Sequence, residues 1–534
     1  MPDPNLIGLP KEPPLSLIAR LNVHRNATRH LSSGASDPPT SPADAPTTAS
    51  PPTAVGISHD MFGRDIFYLA GYALQMVTAS IVTPILTRLL GQASYGRLAA
   101  SLAIMQVLFT LQGYGLVVGI QRTFSDSGRS AARSVLSLAL LASLLSTAAF
   151  LISTPLWATS IGFRTLHTAL VLTILWAGLS AATAATMSLL RSLERIGSFT
   201  IINLVQAVAA QVLGLTLAST SSAKLNAYLT AIVACQAAAL LVGLLYTRPR
   251  LMLLRHSAIL ISAAAFSLPV LPQQFAGFIL NASDRLVLQR DLGPISVARY
   301  QVSYSLAGVA MVVLSLLSGV WLPSLLKLTN RNRLLDAVYR ARDALAYLLA
   351  PTVVGLAYGV PALLRFWVPP AYHSSGLRVV VLTIALSALP YALFESHYRV
   401  LLADKRTGLA AALTIIAALV NLVLNVILVP VLGIDGSAYA TLFSYLLLWS
   451  LTAIVAKYLS LAPHRSWRLI LILAATCLFS TTTLLFPITG LGFVARWLAS
   501  ALCVVLLLLA ALHARTQRTM VEVRSQPAPG AAMR

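Results

Sequence analysis

Long stretches without a charged residue dominate this sequence from Ile66 onward. Thirteen of them reach 18 residues or more, and a fourteenth, about 379–401, carries Glu395, His397 and Arg399 near one end. A helix needs about 20 mainly apolar residues to cross a bilayer. A chain with 57% hydrophobic and only 10% charged residues has too much apolar surface for a soluble protein. We therefore predict an all-α integral membrane protein with about 14 transmembrane helices. The thirteen uncharged stretches are 66–87, 98–121, 134–163, 165–190, 196–223, 225–247, 256–283, 300–326, 344–364, 407–434, 436–456, 469–495 and 497–514.

The basic residues between these stretches are unevenly distributed. The chain carries 38 Lys and Arg against 16 Asp and Glu, a formal net charge of +22. If residues 1–65 are cytoplasmic and every stretch crosses, 28 basic residues fall on the cytoplasmic side and 9 on the other. That bias is the positive-inside pattern of membrane proteins. It predicts that both termini are cytoplasmic, and it explains the positive charge without a nucleic-acid partner.

A short motif occurs twice in the chain. Residues 88–97 and 290–299 share Arg, Leu, Gly, Ser and Arg at a constant offset of 202. Six predicted helices separate the two copies, so both face the same side of the membrane and the repeat is parallel. Two six-helix lobes related by an axis along the membrane normal are typical of transporters.

The predicted organisation has five parts. A Pro-, Ser- and Ala-rich composition without helical period predicts a disordered, cytoplasmic N-terminal tail. The parts are the tail 1–65, an N-lobe 66–255 with helices 1–6, a C-lobe 256–460 with helices 7–12, two extra helices in 461–514 and a cytoplasmic tail 515–534.

Motifs of other classes of membrane protein are missing from the sequence. It contains neither an HExxH nor a Walker A sequence, and its three cysteines lie in apolar stretches without forming a CxxC pair. We therefore expect no enzyme activity, no catalytic residue, no cofactor and no metal site. A channel is disfavoured because no filter-like run or repeated acidic ring occurs. A two-lobed transporter is the leading class.

Four stretches of the chain resemble one family of such transporters. They are TPILTRLLG at 83–91 followed by SYG at 94–96, QGYGL at 112–116, NASDR at 281–285 and GIDGSAYAT at 433–441. In order and spacing they are similar to bacterial polysaccharide and O-antigen flippases of the multidrug/oligosaccharidyl-lipid/polysaccharide export superfamily. The resemblance implies a flippase that moves an undecaprenyl-pyrophosphate-linked oligosaccharide from the cytoplasmic to the periplasmic leaflet of the inner membrane. It also implies alternating access through an Arg-lined cavity between the lobes.

Candidate site residues follow from the cargo that such a protein carries. A pyrophosphate and a polar glycan need cations and hydroxyl-compatible groups along a shielded path across about 30 Å of hydrocarbon. Arg suits phosphate because its planar guanidinium bonds two oxygens at once. The candidates for substrate binding or cavity lining are Arg122, Asp284, Arg285, Arg88, Arg290, Gln75, Gln106 and Asn281.

Each charged candidate also has a structural explanation. Arg88 and Arg290 flank the duplicated loops and can serve as interfacial anchors, or Arg290 can pair with Asp291. Asp284 and Arg285 form either a gate or a plain ion pair. The charge bias alone accounts for Arg122.

Glu395 is the candidate for proton or cation coupling. It can pair with Arg399 along one helical face at the i,i+4 spacing, although the cluster lies in a loop if that span ends early. Amides inside the predicted spans form a second group with two explanations, cavity lining and helix packing. Asn203 and Gln206 share a helix face, but such amides usually bond to neighbouring helices.

Three other functions stay open on the sequence alone. A cation-coupled multidrug exporter of the same superfamily would need acidic residues in its cavity, and these are scarce. A lipid II flippase also has 14 helices, but its first-helix signature differs. A membrane-embedded glycan polymerase would need a large extracytoplasmic loop, which the chain lacks. For the flippase, the expected partners are the lipid-linked oligosaccharide, membrane lipids, and a polysaccharide polymerase with its chain-length regulator.

Overall fold

The computed structural model describes the backbone of residues 60–163, 168–250, 257–325, 331–372, 376–461, 466–487 and 489–525. Side chains before 81 (except Thr78), in 316–330 and beyond 509 lie outside the description, and so does the predicted disordered tail up to residue 59. Within these ranges all regular structure is helical, which confirms the predicted fold class. The α-helices are α1 Asp60–Gly113, α2 Leu116–Trp157, α3 Thr168–Ser192, α4 Ile196–Leu204, α5 Ala210–Thr220, α6 Lys224–Thr247, α7 Ser257–Ser267, α8 Leu271–Leu292, α9 Pro294–Leu325, α10 Arg331–Trp367, α11 Leu377–Ala403, α12 Thr407–Leu432, α13 Ile434–Tyr458, α14 Trp467–Thr482 and α15 Gly490–Ser525.

Eleven stretches of the described chain are long and apolar enough to cross a membrane. The first of them, Ile81–Trp157, is 77 residues long and takes in part of α1 and all of α2. A straight helix of that length would measure about 115 Å, several times the thickness of a bilayer core. Non-helical glycines divide it at Gly91 and Gly128. This stretch therefore crosses more than once, while the total of fourteen crossings stays a prediction.

The two copies of the duplicated motif make the same backbone turn. Gly91 has φ 71° and ψ 173°, and Gly293, at the equivalent position 202 residues later, has φ 78° and ψ 178°. This region of backbone space is accessible almost only to glycine. Each glycine turns the chain between two helical segments, so the two motif copies share a backbone geometry as well as residues.

The turns at 88–97 and 290–299 meet at one end of the molecule, which we call the loop end. α1 packs against α8 and α9, and α2 packs against α7. At the loop end a Cβ on Gly96 would overlap the backbone carbonyl oxygen of Pro294, so the two turns touch closely. A buried apolar cluster that includes Leu90, Tyr95 and Val297 continues this contact inward. The first and second halves of the helical bundle are thus joined tightly at the loop end.

Large apolar side chains point outward along the bundle. Ile152, Leu156, Val431 and Leu491 are each more than three-quarters exposed. In water such a surface would drive aggregation, whereas lipid tails solvate it. The outer surface therefore agrees with a bilayer around the helices.

Candidate functional site

A cavity of about 920 Å³ lies among α1 to α6, and α8 contributes one residue to its wall. Its lining is rich in side-chain amides, and we call it the amide cavity. Its amide residues are Gln106, Asn203, Gln206, Gln211, Gln236 and Gln274. Arg191 is the one charged residue among the described residues that line it. Predominantly neutral donors and acceptors fit a ligand rich in hydroxyl groups, because an amide can both donate and accept hydrogen bonds.

An irregular helix segment shapes one wall of the amide cavity. Between α4 and α5 the chain forms a π-helical turn over Val205–Ala209, and Gln206 lies within it. Such turns insert one residue into a helix and are frequent at functional sites. The neighbouring Gln211 accepts a hydrogen bond from the Tyr228 hydroxyl at 2.6 Å, which fixes its amide at the cavity wall.

Arg191 stands at the C-terminal end of α3, where a positive charge is favoured by the helix dipole. Its guanidinium lies 5.5 Å from the ring centroid of Phe199, which supports it against the first turns of α4. Trp176 and Phe109 add apolar surface to the same cavity. One end of the amide cavity is therefore cationic and the rest is neutral.

Asp284 and Arg285 form a buried ion pair on α8. Their side chains are 3% and 6% exposed, and Arg285 Nη1 lies 2.8 Å from Asp284 Oδ1. The Tyr300 hydroxyl donates to the other carboxylate oxygen at 2.6 Å, and the guanidinium stacks 4.0 Å from the Tyr304 ring centroid. Because every charge here is matched inside the protein, the arrangement favours the structural explanation of this pair.

The predicted residue Asn281 lies one turn before that pair. Its amide oxygen accepts a hydrogen bond from the Tyr445 hydroxyl at 3.2 Å, and its amide nitrogen donates to the Gly277 carbonyl at 2.7 Å. The bond from Tyr445 joins α8 to α13, whereas the bond to Gly277 lies within α8. Asn281 is not among the described lining residues of the amide cavity.

Arg88 connects the two halves at the loop end. Its guanidinium donates to the carbonyl oxygens of Trp367 at 3.0 Å and Phe366 at 2.9 Å. These are the last carbonyls of α10, which have no partner within the helix. Nearby, Gln92 donates to the Ala371 carbonyl at 2.6 Å. Arg88 therefore caps a helix and holds α1 against α10.

Arg122 and Arg290 are both engaged in exposed ion pairs. Arg122 Nε lies 3.3 Å from Asp126 Oδ2, and its guanidinium covers the Phe266 ring at 4.2 Å from the centroid. Arg290 Nε lies 3.4 Å from Asp291 Oδ1, as the structural alternative anticipated. Neither is among the residues that line the amide cavity in the described chain.

Glu395 lies inside α11, which continues to Ala403. Its carboxylate is 3.0 Å from Arg399 Nη2, so the predicted i,i+4 pair is present and the cluster does not lie in a loop. The neighbouring His397 is buried, with Nδ1 at 2.8 Å from the Leu393 carbonyl oxygen. A coupling role for Glu395 stays a prediction.

Of the predicted neutral residues, Gln106 lines the amide cavity, while the side chain of Gln75 lies outside the described residues. Sequence reasoning missed Arg191, Gln236 and Gln274 as lining residues. It noticed Asn203 and Gln206 but favoured bonds between helices. Their shared helix face was a usable signal, but which neighbour that face meets depends on the packed bundle.

A helical bundle built from two halves, with an amide-lined cavity in the first half and an apolar outer surface, defines a multi-pass membrane transporter. Solved structures share this fold. The lipid II flippase MurJ in an inward closed conformation superposes with a TM-score of 0.61 at 15% identity, covering 86% of this chain and 100% of that chain. The MATE transporter VcmN of Vibrio cholerae gives 0.54 at 14% identity, with 74% and 96% covered. The eukaryotic MATE transporter AtDTX14 gives 0.50 at 13% identity, with 79% and 99% covered.

The chain belongs to a family described as "Polysaccharide biosynthesis protein", whose sequence model matches residues 62–329. This match covers half of the chain and confirms the family that the four motifs predicted. No curated protein sequence matches the chain.

Proposed function

We propose that this protein is a flippase for an undecaprenyl-pyrophosphate-linked oligosaccharide. It carries the repeat unit of a cell-surface polysaccharide, such as O-antigen or exopolysaccharide, from the cytoplasmic to the periplasmic leaflet. The observation that carries this proposal is the amide cavity, whose lining has six amides and one arginine. Family membership supports the pathway, and the fold supports a transporter mechanism.

The composition of the amide cavity fits the two chemical parts of such a cargo. Sugar hydroxyls exchange hydrogen bonds with Gln106, Gln206 and Gln211, which replace the water lost on entry. The Arg191 guanidinium can donate charge-assisted hydrogen bonds to phosphate oxygens. The family resemblance implied an Arg-lined cavity, and the described lining offers this single arginine, so we assign the phosphate contact to Arg191 and the glycan contacts to the amides.

The same lining separates the flippase from a multidrug exporter. An organic cation is stabilised by a carboxylate, and the described residues that line the amide cavity include no Asp or Glu. A lipid II flippase remains the second candidate, because the MurJ structure shares the fold over 86% of this chain. The cargo of a lipid II flippase carries the same pyrophosphate, so the two candidate functions are distinguished by the glycan that this protein transports.

The proposed orientation and coupling follow the sequence arguments. Both termini face the cytoplasm of the inner membrane, the two halves rock against each other to alternate access, and a polymerase with its chain-length regulator receives the product. Glu395 is the proposed coupling residue. For protonation it has to leave Arg399, so Glu395→Gln is expected to remove any dependence of transport on a pH gradient.

The test compares lipid-linked oligosaccharides in cells with and without this protein. Mass spectrometry of the extracted pool identifies the glycan, and its accessibility from the periplasm is scored in parallel. We expect loss of the protein to leave a pyrophosphate-linked repeat unit accumulated and shielded on the cytoplasmic side. An unchanged, normally exposed pool would refute the proposal, and accumulation of lipid II would favour the second candidate.

Variants of the cavity sharpen this test. Arg191→Gln is expected to reduce translocation at least tenfold, because a buried phosphate loses its charge-assisted contact. Arg195→Gln is the matched control, since it removes the same charge four residues later from an exposed side chain outside the described lining. Equal loss in both variants would show that net charge, and not the cavity contact, matters.

A further inference from the structure

A second cationic pocket lies at the loop end, outside the amide cavity. It has a volume of about 480 Å³, and both halves of the bundle line it. We call it the loop-end pocket. Its polar lining residues are Ser94, Arg97, Ser222, Lys224, Asn226 and Gln289. Two cations and no carboxylate stand among the described residues of this lining, so the pocket carries an unbalanced positive charge.

Both cations retain free hydrogen-bonding capacity. Lys224 uses one of its three N–H donors on the Leu89 carbonyl, at 3.2 Å. Arg97 is exposed, and none of the described ion pairs engages it. The first turn of α6 begins at Lys224, and Ala223 before it supplies no side-chain cap. The leading N–H groups of α6 therefore add positive potential to the same pocket.

Gln289 contributes an observation that is independent of the two cations. Its side chain is 7% exposed and lines the pocket, yet its Oε1 has no hydrogen-bond partner in the described part of the chain. Leaving a buried acceptor unpaired is unfavourable by about 1–3 kcal/mol. A ligand hydroxyl placed in the pocket would satisfy it.

We infer that the loop-end pocket binds a hydroxyl-bearing oxyanion. Arg97, Lys224 and the start of α6 hold the oxyanion, and the Gln289 amide receives an adjacent hydroxyl. Building on the proposed function, two parts of the cargo have this chemistry, namely an acidic sugar of the glycan and the sugar phosphate next to the lipid. Because Gln289 and Arg97 come from different halves, a bound anion stabilises the arrangement in which those halves are together at the loop end.

The first test measures binding to purified full-length protein in nanodiscs by saturation-transfer NMR. The probes are glucuronate, glucose 1-phosphate and, as the neutral control, glucose. We expect at least one anionic probe to bind at least tenfold more tightly than glucose, and the stronger of the two identifies the source of the anion. Equal binding of all three probes, or binding of none, would overturn the inference.

Variants locate the binding. The double variant Arg97→Gln/Lys224→Gln is expected to weaken binding of the anionic probe at least tenfold. The charge-conserving pair Arg97→Lys/Lys224→Arg is expected to retain it. The control Arg365→Gln removes an exposed positive charge from the last turn of α10, outside the described lining of the loop-end pocket, and it should leave binding unchanged. Weakening by the control equal to that by the double variant would overturn the assignment to this pocket.

A direct readout guards against a double variant that fails to fold. In Ser94→Cys the new thiol lines the pocket, and the anionic probe should slow its reaction with a maleimide while glucose should not. Labelling is followed at residue 94 by mass spectrometry, because Cys477 is also exposed. Unslowed labelling overturns the inference. If cells show the predicted pool of lipid-linked oligosaccharide but the pocket fails these tests, the anion site is refuted and the flippase proposal stands. The reverse result keeps the anion site and refutes the flippase.

Discussion

The buried ion pair on α8 makes a quantitative prediction, because the same helix carries an exposed pair of the same two residue types. Asp284→Asn keeps the shape of the side chain but removes its charge. Arg285 would then stay buried with neutral acceptors, chiefly Gln301 Oε1 at 2.9 Å from its Nε. An unmatched charge in a buried site lowers the free energy of unfolding by about 3–5 kcal/mol.

Asp291→Asn is the matched control. Its partner Arg290 is 63% exposed, so water replaces the lost contact. Exposed pairs of this kind contribute about 0–1 kcal/mol. The double variant Asp284→Asn/Arg285→Gln removes both buried charges, and we expect it to be more stable than the sum of the two single effects predicts.

The assay is thermal unfolding of Asp284→Asn, Arg285→Gln, their double variant and Asp291→Asn in nanodiscs at one scan rate, with hydrogen exchange of α8 as a local readout. A large loss for Asp284→Asn, a small loss for Asp291→Asn and a partial recovery in the double variant would support the structural explanation. Equal small losses for both aspartates would refute it, since the charge would then be solvated. A stable Asp284→Asn protein that no longer transports would instead favour a gate.

Three further predictions concern the loop end and the amide cavity. Gly96→Ala is expected to separate the two turns at the loop end, because the added methyl group overlaps the Pro294 carbonyl oxygen. Spin-label distances across the turns should therefore lengthen. The control Gly308→Ala, whose methyl group meets nothing within 4 Å, should leave these distances unchanged. Arg88→Gln should speed hydrogen exchange at the end of α10 by about tenfold to a hundredfold, since bonds to charged donors contribute about 1.5–3 kcal/mol; unchanged exchange would contradict its capping role. Gln236→Leu should raise the unfolding temperature, because the buried Nε2 of Gln236 has no hydrogen-bond partner in the described chain. The same variant should lower translocation, because Gln236 lines the amide cavity. A destabilised but active variant would show that the amide serves packing.

The helices were predictable because a bilayer core forces each crossing segment to satisfy its own backbone hydrogen bonds. Apolar length alone then locates the segments. The ends were less predictable: α1 continues through most of the segment 88–97 that the charges mark as a loop, and only Gly91 interrupts it. A charged residue shows that a segment reaches water, but it does not end a helix.

The candidate site was predictable only in its neutral part. Gln106 was identified, whereas Arg88, Arg122 and Arg285 have protein partners in α10, Asp126 and Asp284. The sequence shows that a guanidinium is available for phosphate, but not whether a carbonyl or carboxylate of the protein already occupies it. Arg191 was overlooked because its position in the cavity depends on how α3 packs against α1 and α4.

The contact between Gly96 and Pro294 has a consequence for ancestry. On the duplication that we propose, the turns that touch are two copies of one ancestral segment, which is the arrangement at the axis of a twofold homodimer. In a homodimer one gene specifies both sides of such an interface, so neither can change alone. Within a single chain the copies have diverged: Gly96 corresponds to Ala298, and Pro294 corresponds to Gln92, which now holds Ala371. On this proposal the two copies could change separately: the first turn carries both Gly96 at the close approach and the tether Gln92, and the second carries Ala298 and Pro294 at the equivalent positions.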